Sequence, residues 1–164
     1  MRNETVIFPG SFDPITNGHL DIIKRAAALF ESVVVLVAQN NEKKSLYSVD
    51  QRIQFIIKSV DAYSNVSVIS WSGLTVEFMK QKNIRTIVRG ERNTIDFEVE
   101  NQLALMNKKL YIECETVFLP AAPELVALSS TVLRDLLKHG VDVSSFVPDA
   151  ICEVLNEKKY VNTI

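Results

Sequence analysis

Residues that carry covalent or metal chemistry are scarce in this chain. It has two cysteines, Cys114 and Cys152, far apart and without a C-x-x-C pairing, so neither a disulfide framework nor a zinc site is indicated. It has only two histidines and no G-x-S-x-G elbow, which leaves a hydrolase triad poorly supported. No G-x-G-x-x-G follows the first apolar run, so a dinucleotide cofactor is not favoured, and the Gly-Lys-Ser/Thr of a Walker A loop is missing. Neither sign of charge prevails: 18 Lys and Arg stand against 20 Asp and Glu, a formal net charge of −2. No global basic field is available to hold nucleic acid, so any polyanion must be met by a local cluster. The longest aliphatic run, residues 33–38, falls far short of the roughly 20 residues of a membrane span. The opening Met-Arg-Asn-Glu-Thr lacks the apolar core of a signal peptide, so the expectation is a cytoplasmic protein with no membrane partner.

The 164 residues are 47% hydrophobic and 23% charged, the proportions of one soluble domain spanning 1–164. The most informative stretch is Phe8-Pro-Gly-Ser-Phe-Asp-Pro-Ile-Thr-Asn-Gly-His19-Leu20. Before it, Thr5-Val-Ile-Phe8 reads as a buried strand; Pro9, Gly10 and Pro14 interrupt regular structure. After it, Leu20, Ile23, Ala27 and Phe30 recur at helical spacing. A small-residue loop between a strand and a helix start presents backbone N–H groups and the positive end of a dipole, which suits a phosphate. His19, in the first helical turn, adds a donor.

Strand and helix then alternate. Residues 32–37 form an unbroken apolar strand, as expected of a parallel strand covered on both faces. Ser48 with Gln51 is a capping box opening a helix with Ile53, Ile56, Ile57 and Val60 on one face. Residues 66–71 make a third strand, 75–82 a short helix and 85–88 a fourth strand, with Arg89-Gly-Glu-Arg92-Asn expected in the loop after it. The next helix should carry Ile95, Val99, Leu103, Met106 and Leu110 on its apolar face. A fifth strand covers 116–119, Ser129-Ser130-Thr131 supply hydroxyls at another helix start, and Gly140 is that helix's C-cap. Pro148 is expected at the first position of a last helix closed by Lys158 and Lys159. Trp71 and the phenylalanines read as core, and His139 as a structural residue at a helix end.

This pattern predicts an α/β fold, a doubly wound, parallel, five-stranded Rossmann-like sheet. Ligands of such sheets lie beyond the strands' carboxyl ends, where strand order reverses. The residues from Ser11 to His19, Lys43, the residues from Arg89 to Arg92 and those from Ser129 to Thr131 would all fall on that edge. Cations, a helix start and one histidine suit phosphoryl or nucleotidyl transfer, in which the protein positions reactants and neutralises charge. Two unit charges 4 Å apart repel by about 4 kcal/mol at an effective dielectric of 20, so joining two phosphates needs several cations. Lys43, Arg89 and Arg92, with Mg²⁺, could supply them.

The block from Pro9 to His19 with its T-x-G-H motif, Arg89-Gly-x-Arg92-Asn, Asp96-Phe-Glu-x-Glu100 and Ser129-Ser-Thr131 together resemble the bacterial phosphopantetheine adenylyltransferases. The T-x-G-H element marks a whole nucleotidyltransferase superfamily, whereas the set in this order is highly specific. The resemblance implies transfer of AMP from ATP to 4′-phosphopantetheine, giving dephospho-CoA and pyrophosphate in coenzyme A synthesis, with Mg²⁺ required and its ligands unknown. It implies direct in-line attack with no covalent enzyme intermediate. It implies a catalytic set of His19, Lys43, Arg89 and Arg92, with His19 stabilising the transition state. Ser11, Lys43, Thr75 and Arg89 would bind phosphopantetheine. ATP would be bound by Ser11, Phe12, His19, Gly90, Glu91, Arg92, Glu100, Leu125, Val126, Ala127, Leu128, Ser129, Ser130 and Thr131. A homohexamer and feedback inhibition by coenzyme A are implied as well.

Three positions depart from the family pattern. Ser11 stands where Thr is frequent, Glu91 where an apolar residue is common, and Leu125 where many members carry an aromatic residue. The nearest rival is the nicotinamide mononucleotide adenylyltransferase group, whose C-terminal motif Ser129-Ser-Thr-Val-Leu-Arg134 also resembles. That group usually carries H-x-G-H, whereas position 16 here is Thr16. A class I aminoacyl-tRNA synthetase would need a far longer chain. A non-catalytic nucleotide or coenzyme A sensor is the alternative from another class.

Overall fold

The β-branched runs pair side by side into one sheet. The computed structural model of the chain describes residues 4–39 and 45–157, the last two by backbone alone. The elements in order are β1 (Thr5–Gly10), α1 (Asn17–Leu29), β2 (Ser32–Ala38), α2 (Val49–Val60), β3 (Val66–Trp71), α3 (Thr75–Lys82), β4 (Thr86–Glu91), α4 (Thr94–Leu110), β5 (Glu115–Pro120), α5 (Ser130–Lys138) and α6 (Asp149–Glu157). All neighbouring strands are parallel, in the order β3-β2-β1-β4-β5.

Alternation along the central strands builds two cores. Val6 and Phe8 of β1 and Val33, Val35 and Val37 of β2 face α1, α2, α5 and α6, where Ile23, Ile56, Leu133 and Ile151 are fully buried. Ile7, Val34 and Leu36 face the opposite way, onto Val76, Phe78 and Met79 of α3. Both faces are covered, which explains the unbroken apolar reading of β2.

The sheet parts at its centre. β1 pairs with β2 over six positions, but with β4 only through Val6↔Thr86 and Ile7↔Ile87. Pro9 has no N–H to continue a ladder, and a proline inside a central strand marks an interruption. Beyond it the ends of β1 and β4 border open space.

Several elements differ from the sequence reading. Arg89, Gly90 and Glu91 lie in β4 and not in a loop, because β5 offers them partners at Phe118, Leu119 and Pro120. Pro148 stands just before α6, and Trp71 is only half-buried. The largest difference is α4, none of whose residues is buried. Its expected core face is exposed, with Ile95 at 75% and Met106 at 54%. Periodicity identified an amphipathic helix correctly, but the sheet beneath does not reach that apolar stripe. Lys43, Lys44, Lys158 and Lys159 lie outside the described residues.

The loop after β1 is fastened by Asp13, whose buried carboxylate accepts the N–H groups of Leu46 (2.8 Å) and Tyr47 (2.9 Å). Arg134 of α5 donates to the Asp13 carbonyl at 3.1 Å and stands 3.6 Å from its carboxylate. Asp13→Ala would strand two amides and a guanidinium, so a loss of about 3 kcal/mol in urea denaturation is expected. A loss below about 1 kcal/mol would show that this carboxylate does not fasten the loop.

Candidate active site

Two clefts open where the sheet parts. One, of about 290 Å³, is lined by the β1 loop, His19, Arg89, Gly90, Arg92, Glu100, and the segment after β5 including Leu125, Leu128, Ser129, Ser130 and Thr131. The other, of about 280 Å³, runs from the same loop along Leu74, Thr75 and Val76 to Leu103, Ala104 and Leu110 of α4. Pro9, Gly10, Ser11, Arg89 and Glu100 line both, so they form the wall where the clefts meet.

The position of His19 is set locally. Thr16 caps α1 and His19 is the third helical residue, in a reciprocal capping box. The Thr16 hydroxyl accepts from the His19 N–H, and the Thr16 N–H donates to the ring Nδ1 at 3.1 Å. An Nδ1 that accepts this bond carries no proton, so the neutral ring holds its proton on Nε2. Phe12 packs edge-on against the imidazole at 5.1 Å between ring centroids. Burial, and then the charges of Arg92 and Arg89, push the His19 pKa down to about 4. At neutral pH His19 is therefore an uncharged donor, suited to a phosphate oxygen that gains charge.

The two arginines are held by acids of α4. Arg89 donates from Nε to Glu100 at 2.6 Å and from Nη2 to the second carboxylate oxygen, while its Nη1 bonds the Pro9 carbonyl at 2.6 Å. Arg92 pairs with Asp96 at 2.7 Å and donates to the Leu128 carbonyl at 3.3 Å. The sequence reading counts both among the cations that offset phosphate charge. The structure gives each a carboxylate, so orientation is gained while the net positive field is reduced.

At the start of α5 the hydroxyls divide. Ser129 accepts from the Val132 N–H and Thr131 accepts from Arg134, so each retains its own proton as a donor. Ser130 instead donates to the Pro14 carbonyl.

The structure thus gathers Ser11, His19, Gly90, Arg92, Glu100, Leu125, Leu128, Ser129, Ser130 and Thr131 around the first cleft, and Thr75 with Ser11 and Arg89 around the second. Phe12, Glu91, Val126 and Ala127 do not line the first cleft. Phe12 is fully buried, and its φ of 47° lies in the left-handed region, so it supports the loop from beneath and does not face the cleft. A Cβ on Gly10 would sit 2.9 Å from the Phe12 ring, so only glycine fits there. Sequence reasoning missed Asp96 as the partner of Arg92, and Asp13, Arg52 and Arg134 beneath the loop. The i,i+4 spacing of Arg92 and Asp96 was the one available signal.

With this geometry in view, comparison with known proteins gives a consistent result. The cytidylyltransferase-like family profile matches residues 7–136. The chain is 46% identical to the phosphopantetheine adenylyltransferase of Finegoldia magna over 158 residues, 96% of this chain and 98% of that one. It is 47% identical to the phosphopantetheine adenylyltransferase of Heliobacterium modesticaldum, over 96% of this chain and 94% of that one. Among solved structures, a candidate nicotinate-nucleotide adenylyltransferase of Vibrio parahaemolyticus superposes with a TM-score of 0.69 over 94% of this chain and 99% of that one. At 18% identity this likeness shows the fold alone.

The His19 pKa has a measurable consequence. Its folded value lies below the ordinary 6.5, so the unfolded chain binds the proton first as pH falls. This group's contribution to stability is intact above about pH 6.5 and is lost progressively between there and about pH 4. Nitrogen-15 spectra of the free protein should show His19 neutral and protonated on Nε2 at pH 6, and a titration midpoint near 6.5 would contradict this.

Proposed function

The chain belongs to the cytidylyltransferase-like family, among its phosphopantetheine adenylyltransferases, and from that premise we propose how its two clefts share the substrates. The enzyme transfers AMP from ATP to 4′-phosphopantetheine. The observation that carries the division of labour is the common wall of Ser11, Arg89 and Glu100 between two clefts. ATP takes the cleft with His19, Arg92 and the α5 start; the pantetheine arm takes the one with Thr75 and Leu103. The terminal phosphate of phosphopantetheine then meets the α-phosphate at the wall.

The phosphopantetheine oxygen forms a bond to the α-phosphorus as the bridging oxygen to the β-phosphate departs with its electron pair, releasing pyrophosphate. No residue needs to form a covalent bond. The His19 Nε2–H donates to an α-phosphate oxygen, and Ser129 and Thr131 donate to the phosphate chain, aided by the positive end of α5. Arg89, with Lys43, receives the incoming phosphate, with Glu100 holding the Arg89 fork in register. Arg92 lies along the ATP phosphates.

Among the described residues no three His, Cys, Asp or Glu side chains are close enough to hold a metal, and Glu100 at the cleft is paired with Arg89, as Asp96 is with Arg92. A Mg²⁺ that keeps most of its waters and is carried by the triphosphate fits such a donor set. When bound, it neutralises phosphate charge.

The exposed apolar side chains of α4, Ile95, Val99, Leu105 and Met106, support a homo-oligomer, which we take to be a hexamer. Coenzyme A carries the arm and nucleotide of the product, so it would fill both clefts and act as a feedback inhibitor. The need for ATP supports a cytoplasmic location.

The direct test follows ATP formation from dephospho-CoA and pyrophosphate, with nicotinamide mononucleotide as competing acceptor in the forward direction. Turnover with the mononucleotide alone would reassign the substrate, and tight nucleotide binding without turnover would make the chain a sensor. For His19→Ala, kcat should fall at least tenfold, about 1.4 kcal/mol of transition-state stabilisation, with ATP binding nearly unchanged. In light scattering, the pair Val99→Glu and Met106→Glu should reduce the assembly to smaller species, and an unchanged mass would remove α4 from the interface.

A further inference from the structure

The pantetheine cleft has a rim of its own. Leu74, Thr75 and Val76 line that cleft and not the one assigned to ATP. Leu74 stands at the N-cap of α3 without a side-chain oxygen to cap it, and it is 56% exposed. With eight residues α3 is too short to be stable alone, so other groups must hold its start.

Two side chains do so. The Trp71 indole Nε1–H donates to the Leu74 carbonyl at 3.0 Å, and the Glu77 carboxylate accepts the Leu74 N–H at 3.2 Å. Both main-chain polar groups of Leu74 are thereby held, while neither Trp71 nor Glu77 lines a cleft. The indole is fixed in turn by Phe78, a buried residue against which it packs edge-on at 5.4 Å between ring centroids. The Trp71 carbonyl accepts the Gln39 N–H at 2.9 Å, next to Ala38, which lines the same cleft. Gly73 shows how closely these parts fit. A Cβ there would sit 2.7 Å from the Glu77 Oε2 and 2.9 Å from the Trp71 Nε1, the two atoms that hold Leu74. A methyl group could enter only by displacing one of them.

We propose that Trp71 and Glu77 are positioning residues for the pantetheine cleft alone: from outside it they clamp Leu74 by both main-chain groups and so set its rim. The inference deepens the two-cleft reading and rests on it for the choice of ligand, though not for the clamp itself. A rim that meets substrate and transition state alike acts on KM and leaves kcat nearly unchanged. No part of the clamp borders the ATP cleft, so its loss should also spare the KM for ATP.

Trp71 is the one tryptophan of the chain, so its indole N–H gives a single nitrogen-15 signal. In the full-length wild type that signal should move as phosphopantetheine binds and move less than half as far with ATP. No movement with bound phosphopantetheine, or equal movement with both, overturns the proposal. Trp71→Phe keeps a ring against Phe78 and loses the donor, and Gly73→Ala forces the clamp apart. Each should raise the KM for phosphopantetheine at least about fivefold, with the KM for ATP within about twofold and kcat within about threefold. Glu77→Ala should behave likewise, whereas Glu77→Gln, which keeps an acceptor, should stay near wild type. An unchanged KM for phosphopantetheine in folded Trp71→Phe or Gly73→Ala, or an equal rise for both substrates, overturns the proposal. A merely structural role would lower stability without separating the two KM values. Where Trp71→Phe does not fold, Gly73→Ala and Glu77→Ala decide by the same criteria. Wild type that binds no phosphopantetheine sinks the functional reading alone. The clamp is then judged in the free protein, where Gly73→Ala should speed solvent exchange of the indole N–H at least about tenfold, and an unchanged rate overturns it.

Discussion

The separation of β1 from β4 is the constraint from which the rest of the molecule follows. A parallel sheet closes its central ladder unless something removes a donor, and Pro9 removes one just after Ile7 pairs with Ile87. The gap falls where the chain winds away in both directions, so the loops after β1 and β5 and the end of β4 all open onto it. Arg89 spans the gap by bonding the Pro9 carbonyl, which makes it both a structural strut and the wall between the clefts. One missing N–H thus creates space for two substrates, and one side chain sets the boundary between them.

Electrostatics in this space are arranged by pairing and not by accumulation of cations. Asp96 and Glu100, one turn apart on α4, each take one arginine. An unpaired guanidinium on a flexible stem is expensive to hold in one orientation, whereas a forked pair with a carboxylate fixes its plane. The cost is a smaller attraction for phosphate, which moves more of the task to neutral donors: the Nε2–H of His19 and the Ser129 and Thr131 hydroxyls. Such donors need no rearrangement as charge develops, which is how a site of modest net charge can still favour a transition state.

Precision in those donors comes from residues that do not face the ligand. Thr16 decides which nitrogen of His19 bears the proton, and Asp13 ties the β1 loop to Leu46 and Tyr47. Arg134 ties the same loop to α5. Arg52 bonds the Ser11 carbonyl from beneath the same loop. Each acts on backbone groups, so mutation at these positions alters geometry before it alters composition of the cleft.

The sequence by itself determined the alternation of strands and helices, the capping boxes at Thr16 and Ser48, and the block of motifs by which the family is recognised. These are legible because they are local: hydrophobic period, cap and turn chemistry act over a few residues. It also placed Ser11, His19, Arg92 and Thr131 on one edge, because parallel topology forces successive βα junctions to the same end of the sheet. Only the tertiary structure decided that Arg89 and Glu91 continue a strand, that Glu100 and Asp96 neutralise the arginines, and that Arg52 lies under Ser11. Each of those depends on which distant segment supplies the partner, as β5 does for Arg89, and no local pattern encodes that. The apolar stripe of α4 gives the same lesson from the other side: Ile95, Val99 and Met106 announce a face that must be covered, but periodicity does not say whether the chain's own sheet will cover it.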